Sequence, residues 1–208
     1  MRIIDISLPL NNDTPIYPGN VPVSISVHQK MPENSSASSS ITLGSHTGTH
    51  IDAPLHAILG AASIEKIPLE AFVGSCRVLD FSQDSGEAVT KSFLESKNIK
   101  KGERVLLKTK NSLQGFKNFY DDYIYLDGDS ADYLASLQVA LVGIDALSIK
   151  QKGSKDHRPH LALLSKNIPI VEGLNLAKVS EGEYELYCLP LYFTDIDGSP
   201  TRAILIQN

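Results

Sequence analysis

One stretch of the chain concentrates its metal-binding side chains: Ser45-His46-Thr47-Gly48-Thr49-His50-Ile51-Asp52-Ala53-Pro54-Leu55-His56. Half of the six histidines in the chain fall within it, with an aspartate among them. Imidazoles and a carboxylate are ligands that suit zinc, manganese or iron, and three such ligands leave coordination positions free for water and a substrate. The stretch therefore predicts a catalytic metal site.

The backbone of this stretch should bring its polar side chains together. His46 and His50 have the spacing of helical zinc motifs, but Gly48 between two threonines makes a poor helix interior. We expect a turn at Gly48 and then an extended segment, in which His50 and Asp52 point to the same side. The proline that follows ends the extended segment and can return His56 to the same space. A chance cluster is the weaker interpretation at this density of ligands.

From residue 46 to residue 56 the chain resembles the H-x-G-T-H-x-D-x-P-x-H signature of the cyclase family of metal-dependent hydrolases, with every fixed position met. That family includes arylformamidases (kynurenine formamidases), isatin hydrolases and related amide or lactone hydrolases. Three further segments extend the resemblance over nearly the whole chain. They are an aromatic-Pro-Gly segment at 16–19, Gly-x-Asp-x-x-Ser at 143–148, and Asp-Gly-Ser-Pro-x-Arg-Ala within 197–205.

The length and composition fit one globular domain spanning residues 1–208, with 42% apolar and 21% charged residues. Strands and helices mix without regular alternation, which predicts a single-domain α/β or α+β fold. The resemblance implies more: a swivelling β/β/α architecture with a mixed curled sheet around the metal site and helices outside. It also implies a homo-oligomer, a dimer or tetramer, with pocket residues supplied across the subunit interface.

Charge and hydropathy exclude several classes of protein. The formal net charge of −5 argues against a nucleic acid or an anionic membrane as partner. No apolar run approaches the roughly 20 residues of a spanning helix, and Asp5 interrupts any signal-peptide core, so a cytoplasmic location is expected. Cys76 and Cys188 lie in apolar, strand-like runs and are expected to be buried thiols rather than a disulfide. The sequence contains no Gly-x-Ser-x-Gly nucleophile elbow, so it does not support a serine hydrolase.

Local patterns predict elements around the histidine stretch. Thr90 should cap a helix over 90–98, and Asp129 or Ser130 should cap a helix that runs to about residue 137. A closing strand is expected at 184–193 and a turn at 197–200. The serine-rich segment 30–40 is expected to be a flexible loop or an exposed hairpin end, and is a candidate lid.

His160 and Glu172 form a second candidate pair, twelve residues apart. Glu172 ends an apolar strand, where a carboxylate is costly unless it is paired or metal-bound. On the residues alone, an exposed strand-end glutamate and a histidine of an amphipathic helix remain the favoured interpretation. The resemblance implies instead that both residues complete a second metal position, with Asp52 able to bridge two ions. His157 is the neighbour most easily confused with His160.

The resemblance implies one or two divalent ions, zinc or manganese, that activate water for attack on an amide or formamide carbonyl. His56 is then the expected proton carrier, with a role as a further ligand as the alternative. The resemblance implies that Tyr17 lines the substrate pocket. From the residues alone, a plain turn with a packing aromatic is an equally good interpretation.

The implied substrate is a small molecule, N-formyl-L-kynurenine, which would yield L-kynurenine and formate. A cyclic amide or lactone, as in isatin hydrolase, is the close alternative. Tyr17 stands where arylformamidases tend to have a tryptophan, and the chain contains none. A non-catalytic metal-binding or ligand-sensing protein on the same fold is the hypothesis from a different class.

Overall fold

The computed structural model describes residues 1–207. Within that range the strands are β1 (Arg2–Asp5), β2 (Ser24–Gln29), β3 (Ser38–Thr42), β4 (His50–Asp52), β5 (Val73–Asp80), β6 (Ala88–Val89), β7 (Arg104–Lys108), β8 (Tyr125–Leu126), β9 (Leu141–Ile144), β10 (Ile170–Glu172), β11 (Gly182–Tyr187), β12 (Gly198–Pro200) and β13 (Ile204–Gln207). The helices are α1 (Lys91–Ser96), α2 (Lys110–Gln114), α3 (Gly128–Leu137) and α4 (Arg158–Leu164). Short 3-10 turns occupy Pro54–His56, Ile64–Lys66 and Leu69–Ala71.

A mixed sheet joins nine of the strands in residues 1–207, in the order β1-β13-β11-β5-β7-β9-β10-β4-β12. Its centre is parallel, because β5, β7, β9 and β10 run in one direction. Parallel neighbours need crossover connections, and α1, α3 and α4 lie in the three crossovers. The flanking pairs are antiparallel. Strands β4 and β12, which are far apart in the sequence, therefore pair with each other at one edge of the sheet.

Two apolar clusters fill the two faces of the sheet. Val105 and Leu107 of β7 belong to the cluster under the helices, whereas Leu106 between them belongs to the other. This alternation is the period of two that a strand imposes. The second cluster draws on strands from β1 to β13, including Ile51 of β4 and Leu186 of β11, so the sheet curls around it. The α/β fold with a mixed curled sheet and outer helices is confirmed.

Three local predictions were wrong. The expected turn at 197–200 is largely strand, since Gly198–Pro200 forms β12 and pairs with β4. A proline is tolerated there because β12 is an edge strand, where a missing N–H is not needed by a neighbour. The strand expected over 184–193 ends at Tyr187, because Tyr187 pairs with the first residues of both partner strands, Val73 of β5 and Ile204 of β13. Asp127 caps α3 by accepting a hydrogen bond from the Ser130 amide at 2.7 Å, in place of the cap expected at 129 or 130.

Other local predictions were confirmed. Thr90 caps α1 through a hydrogen bond from the Phe93 amide. Of the two forms expected for segment 30–40, the hairpin is present, because Ser38–Thr42 pairs with β2. Both cysteines are buried free thiols. Among the helices of residues 1–207, none has the length and apolar character needed to cross a bilayer.

Candidate metal centre and active site

Strands β4 and β10 form the base of the candidate site. They are antiparallel, and Glu172 lies directly opposite His50. Directly paired residues project from the same face of a sheet, and Asp52 shares that face because it is two residues from His50. His50 Nε2 accordingly lies 3.3 Å from Glu172 Oε2 and 3.4 Å from Asp52 Oδ1. The register of two strands therefore places three buried ligand-type side chains around one point.

A turn at Gly48 leads into β4, as the sequence predicts. Gly48 has φ +62°, a left-handed conformation that glycine adopts without a Cβ clash. The turn packs closely on the end of β10, since a Cβ on Gly173 would lie 2.2 Å from the Gly48 carbonyl oxygen. Thr49 Oγ1 donates a hydrogen bond to the Gly173 carbonyl at 2.6 Å. These contacts hold the histidine turn against Glu172.

His46 lies between two carboxylates. Its Nδ1 is 2.7 Å from Asp52 Oδ1, and its Nε2 is 2.8 Å from Asp197 Oδ2. Asp197 also accepts a hydrogen bond from Ser45 Oγ at 3.0 Å. Asp197 was not among the predicted site residues, and the signal for it was its place in the segment 197–205 that resembles the family. It reaches the site because β12, which follows it, pairs with β4.

Helix α4 adds the histidine that the spacing favoured. His160 Nε2 lies 3.4 Å from Glu172 Oε1 and 3.6 Å from Asp52 Oδ2. His157, at the N-cap of α4, lines the neighbouring cavity instead. The structure thus brings His160 and Glu172 together with the residues of the first stretch.

His56 lies at the boundary between this cluster and solvent. Its ring centroid is 4.1 Å from that of His46 and 5.2 Å from that of His160. Its Nδ1 is 3.8 Å from Asp197 Oδ2, and its side chain is 31% exposed. One nitrogen of His56 also lies within 4.8 Å of ligand atoms of His46 and Asp52. This position of His56 suits either a proton carrier or a metal ligand.

The imidazoles and carboxylates of the cluster shift one another's pKa values. Burial lowers the pKa of His50, but the negative charges of the nearby Asp52 and Glu172 carboxylates outweigh it and raise the pKa to about 10. At His46 burial likewise lowers the pKa, but the Asp52 carboxylate outweighs it, so the pKa is raised. His56 differs, because burial lowers its pKa and the attraction of Asp52 does not reverse it. At neutral pH His56 is therefore the imidazole suited to accept a proton.

Two buried polar atoms indicate that the cluster is built for a cation. His50 Nε2 and Asp52 Oδ2 have no hydrogen-bond partner in the described part of the chain. An unsatisfied buried polar atom costs about 1–3 kcal/mol. A divalent ion accepts lone pairs from both atoms, and imidazole with carboxylate is a donor set that zinc, manganese and iron accept. The residues therefore fit a resident metal ion.

A cavity of about 380 Å³ opens beside the cluster, a volume suited to a small molecule. Its lining residues include Tyr17, His56, Ser148, Lys150, His157 and His160. The Tyr17 ring packs edge to face on Phe119, with centroids 5.2 Å apart. Lys150 was not singled out from the sequence, because a lone lysine carries no pattern.

Comparison with known proteins gives a consistent result. A model of the family described as "Putative cyclase" matches residues 4–151, more than half of the chain. Kynurenine formamidase of Bacillus cereus is 38% identical over 204 residues, which cover 97% of this chain and 96% of the relative. Kynurenine formamidase of Bacillus anthracis is 37% identical over the same shares.

Solved structures extend the comparison to the fold. One described as a potential metal-dependent hydrolase with cyclase activity has a TM-score of 0.87 at 36% identity, covering 98% of this chain and 96% of that one. Isatin hydrolase A from Labrenzia aggregata has a TM-score of 0.86 at 23% identity, covering 100% and 94%, and so shares the fold. The chain therefore belongs to the cyclase family.

Proposed function

We propose that this chain is a metal-dependent amidohydrolase that converts N-formyl-L-kynurenine to L-kynurenine and formate. The observation that carries the proposal is a buried cluster of imidazoles and carboxylates that opens onto a small-molecule cavity. The kynurenine formamidases at 37–38% identity over nearly the full length support the choice of substrate. As part of the proposal, residues 1–208 form one hydrolase domain.

The metal in this proposal is zinc or manganese, one or two ions per subunit. His46, His50 and Asp52 would hold one ion, and His160 and Glu172 would complete a second position that shares Asp52. A divalent ion bound there supplies Lewis acidity, which polarises a carbonyl and lowers the pKa of water. The orphaned nitrogen of His50 and oxygen of Asp52 support this assignment.

His56 is proposed to move the proton. Hydrolysis adds the oxygen of water to the formyl carbon, breaks the C–N bond and requires a proton on the departing arylamine nitrogen. The lowered pKa of His56 keeps its imidazole neutral at pH 7, so it can take a proton from water and return it to that nitrogen. Its partly exposed ring lines the cavity, which supports a role beside the substrate, and Tyr17 of the same cavity would contact the aryl group.

A homo-oligomer, dimer or tetramer, located in the cytoplasm, completes the proposal. The β2–β3 hairpin exposes Val27 (69%) and Ile41 (62%), and a two-stranded hairpin alone is marginally stable in water. Leu191 and Tyr192 are exposed as well. A second copy that covers these apolar side chains would stabilise them, and analytical ultracentrifugation would measure the mass directly. A cytoplasmic location agrees with two free thiols.

The test combines metal content with turnover by the purified protein. N-formyl-L-kynurenine, formanilide and isatin are offered at equal concentration, and metal is counted by mass spectrometry. We expect stoichiometric metal and the highest kcat/KM for N-formyl-L-kynurenine. A preference for isatin would support the cyclic amide alternative. Stoichiometric metal without turnover of any of the three would support a binding protein instead.

A further inference from the structure

Lys150 is the one lysine among residues 1–207 that lines the cavity beside the candidate metal centre. It follows the segment 143–148 and is partly buried. The cavity therefore contains a fixed positive charge beside the proposed reacting centre.

The backbone on both sides of this lysine is anchored. The Ile149 amide donates a hydrogen bond to Glu172 Oε1 at 2.7 Å, and the Tyr123 hydroxyl donates one to the Lys150 carbonyl. The first of these bonds ties the segment to a proposed metal ligand. The root of the Lys150 side chain is thus held in a set position relative to the centre.

Other lysines of the chain with limited exposure have carboxylate partners. Lys108 pairs with Asp80 at 2.8 Å, and Lys97 pairs with Glu181 at 2.7 Å. Two residues from Lys150, Lys152 pairs with Asp121 at 2.5 Å. For Lys150, no carboxylate of residues 1–207 lies within ion-pair distance. An ammonium without a counter-ion in a cavity favours an anionic ligand group.

We propose that Lys150 binds the carboxylate of the substrate and so selects formamides that carry an amino-acid head group. The inference rests on the proposed function and names the group that recognises the end of the substrate opposite to the formamide. With the formamide at the histidine and carboxylate cluster, the head group extends along the cavity to the ammonium. Tyr17, braced by Phe119, lines the same cavity and can contact the aryl ring between the two ends.

The experiment compares Lys150→Gln with wild type on two substrates that differ only in the carboxylate. These are N-formyl-L-kynurenine and its decarboxylated analogue, N-formylkynurenamine. A charge-assisted hydrogen bond accounts for roughly a 10- to 100-fold change. We expect kcat/KM for N-formyl-L-kynurenine to fall by about that factor, mainly through KM. For the analogue, kcat/KM should change less than about twofold.

Two further variants control the result. Lys152→Gln removes a neighbouring lysine that is already paired, and should leave both substrates unchanged. Lys150→Arg keeps the charge and should restore part of the preference for the carboxylate. Equal losses on both substrates in Lys150→Gln would overturn the inference while leaving the hydrolase intact. If wild type hydrolyses neither substrate, the proposed function itself fails, and the inference that rests on it fails too.

Discussion

Replacing Asp197 by Asn should weaken the site without removing a proposed ligand. The Oδ2 atom of Asp197 lies 2.8 Å from His46 Nε2, and its Oδ1 atom accepts a hydrogen bond from Ser45 Oγ at 3.0 Å. The amide keeps the shape but has one acceptor oxygen and no charge, so it cannot accept from both. Removing such a partner from a ligand histidine typically costs 10- to 100-fold in metal affinity or activity. The side chain is 41% exposed, so solvent screening places the expected loss near tenfold, about 1.4 kcal/mol.

The assay is a chelator competition that measures the metal dissociation constant, together with kcat/KM on the preferred substrate. Asp195→Asn is the matched control, because it makes the same chemical change two residues away. Asp195 has φ +60°, a conformation that asparagine also tolerates. If Asp197→Asn and Asp195→Asn bind metal equally well, Asp197 does not orient His46, and the reasoning is refuted.

The remaining predictions concern ligands, pH and metal removal. His50→Ala should lose metal and activity together, whereas His56→Ala should keep metal and lose about 10²- to 10⁴-fold in kcat; equal metal loss in both would make His56 a ligand. Asp80→Asn should lower the free energy of unfolding by about 2 kcal/mol at pH 7, because it removes the carboxylate partner of the buried Lys108 ammonium and leaves it the Val179 carbonyl as acceptor. Burial raises the Asp80 pKa, but its bonds to Lys108 and Ser82 hold it below 3.8. That stabilisation is fully present above pH 3.8 and is lost as the pH falls through the folded pKa, so urea titrations should converge in acid. Chelation should lower the melting temperature by about 10 °C if the ion is present at a thousandfold its dissociation constant.

The first half of the site is predictable because its geometry is local. A turn at Gly48 and the two-residue period of a strand suffice to place His50 and Asp52 on one side. No long-range information enters that argument. The signature from residue 46 to residue 56 identifies the family, and the resemblance to that family predicts the curled sheet.

The second half depends on pairings that a single sequence does not display. Glu172 reaches the site through the register of β10 against β4, and that register is not encoded within either strand. Asp197 was missed for the same reason, since the segment 197–200 has the composition of a turn but pairs as an edge strand with β4. Lys150 carries no pattern at all, and becomes significant once the cavity around it and the absence of a partner in the described residues are visible.

Crystals of the active protein, measured at and below the absorption edge of the metal found in solution, test the central claim most directly. We expect an anomalous peak among the ligand atoms of His46, His50 and Asp52 and, where two ions are present per chain, a second peak beside the ligand atoms of His160 and Glu172. A protein that hydrolyses the formamide at full rate with no peak between those atoms would contradict that claim.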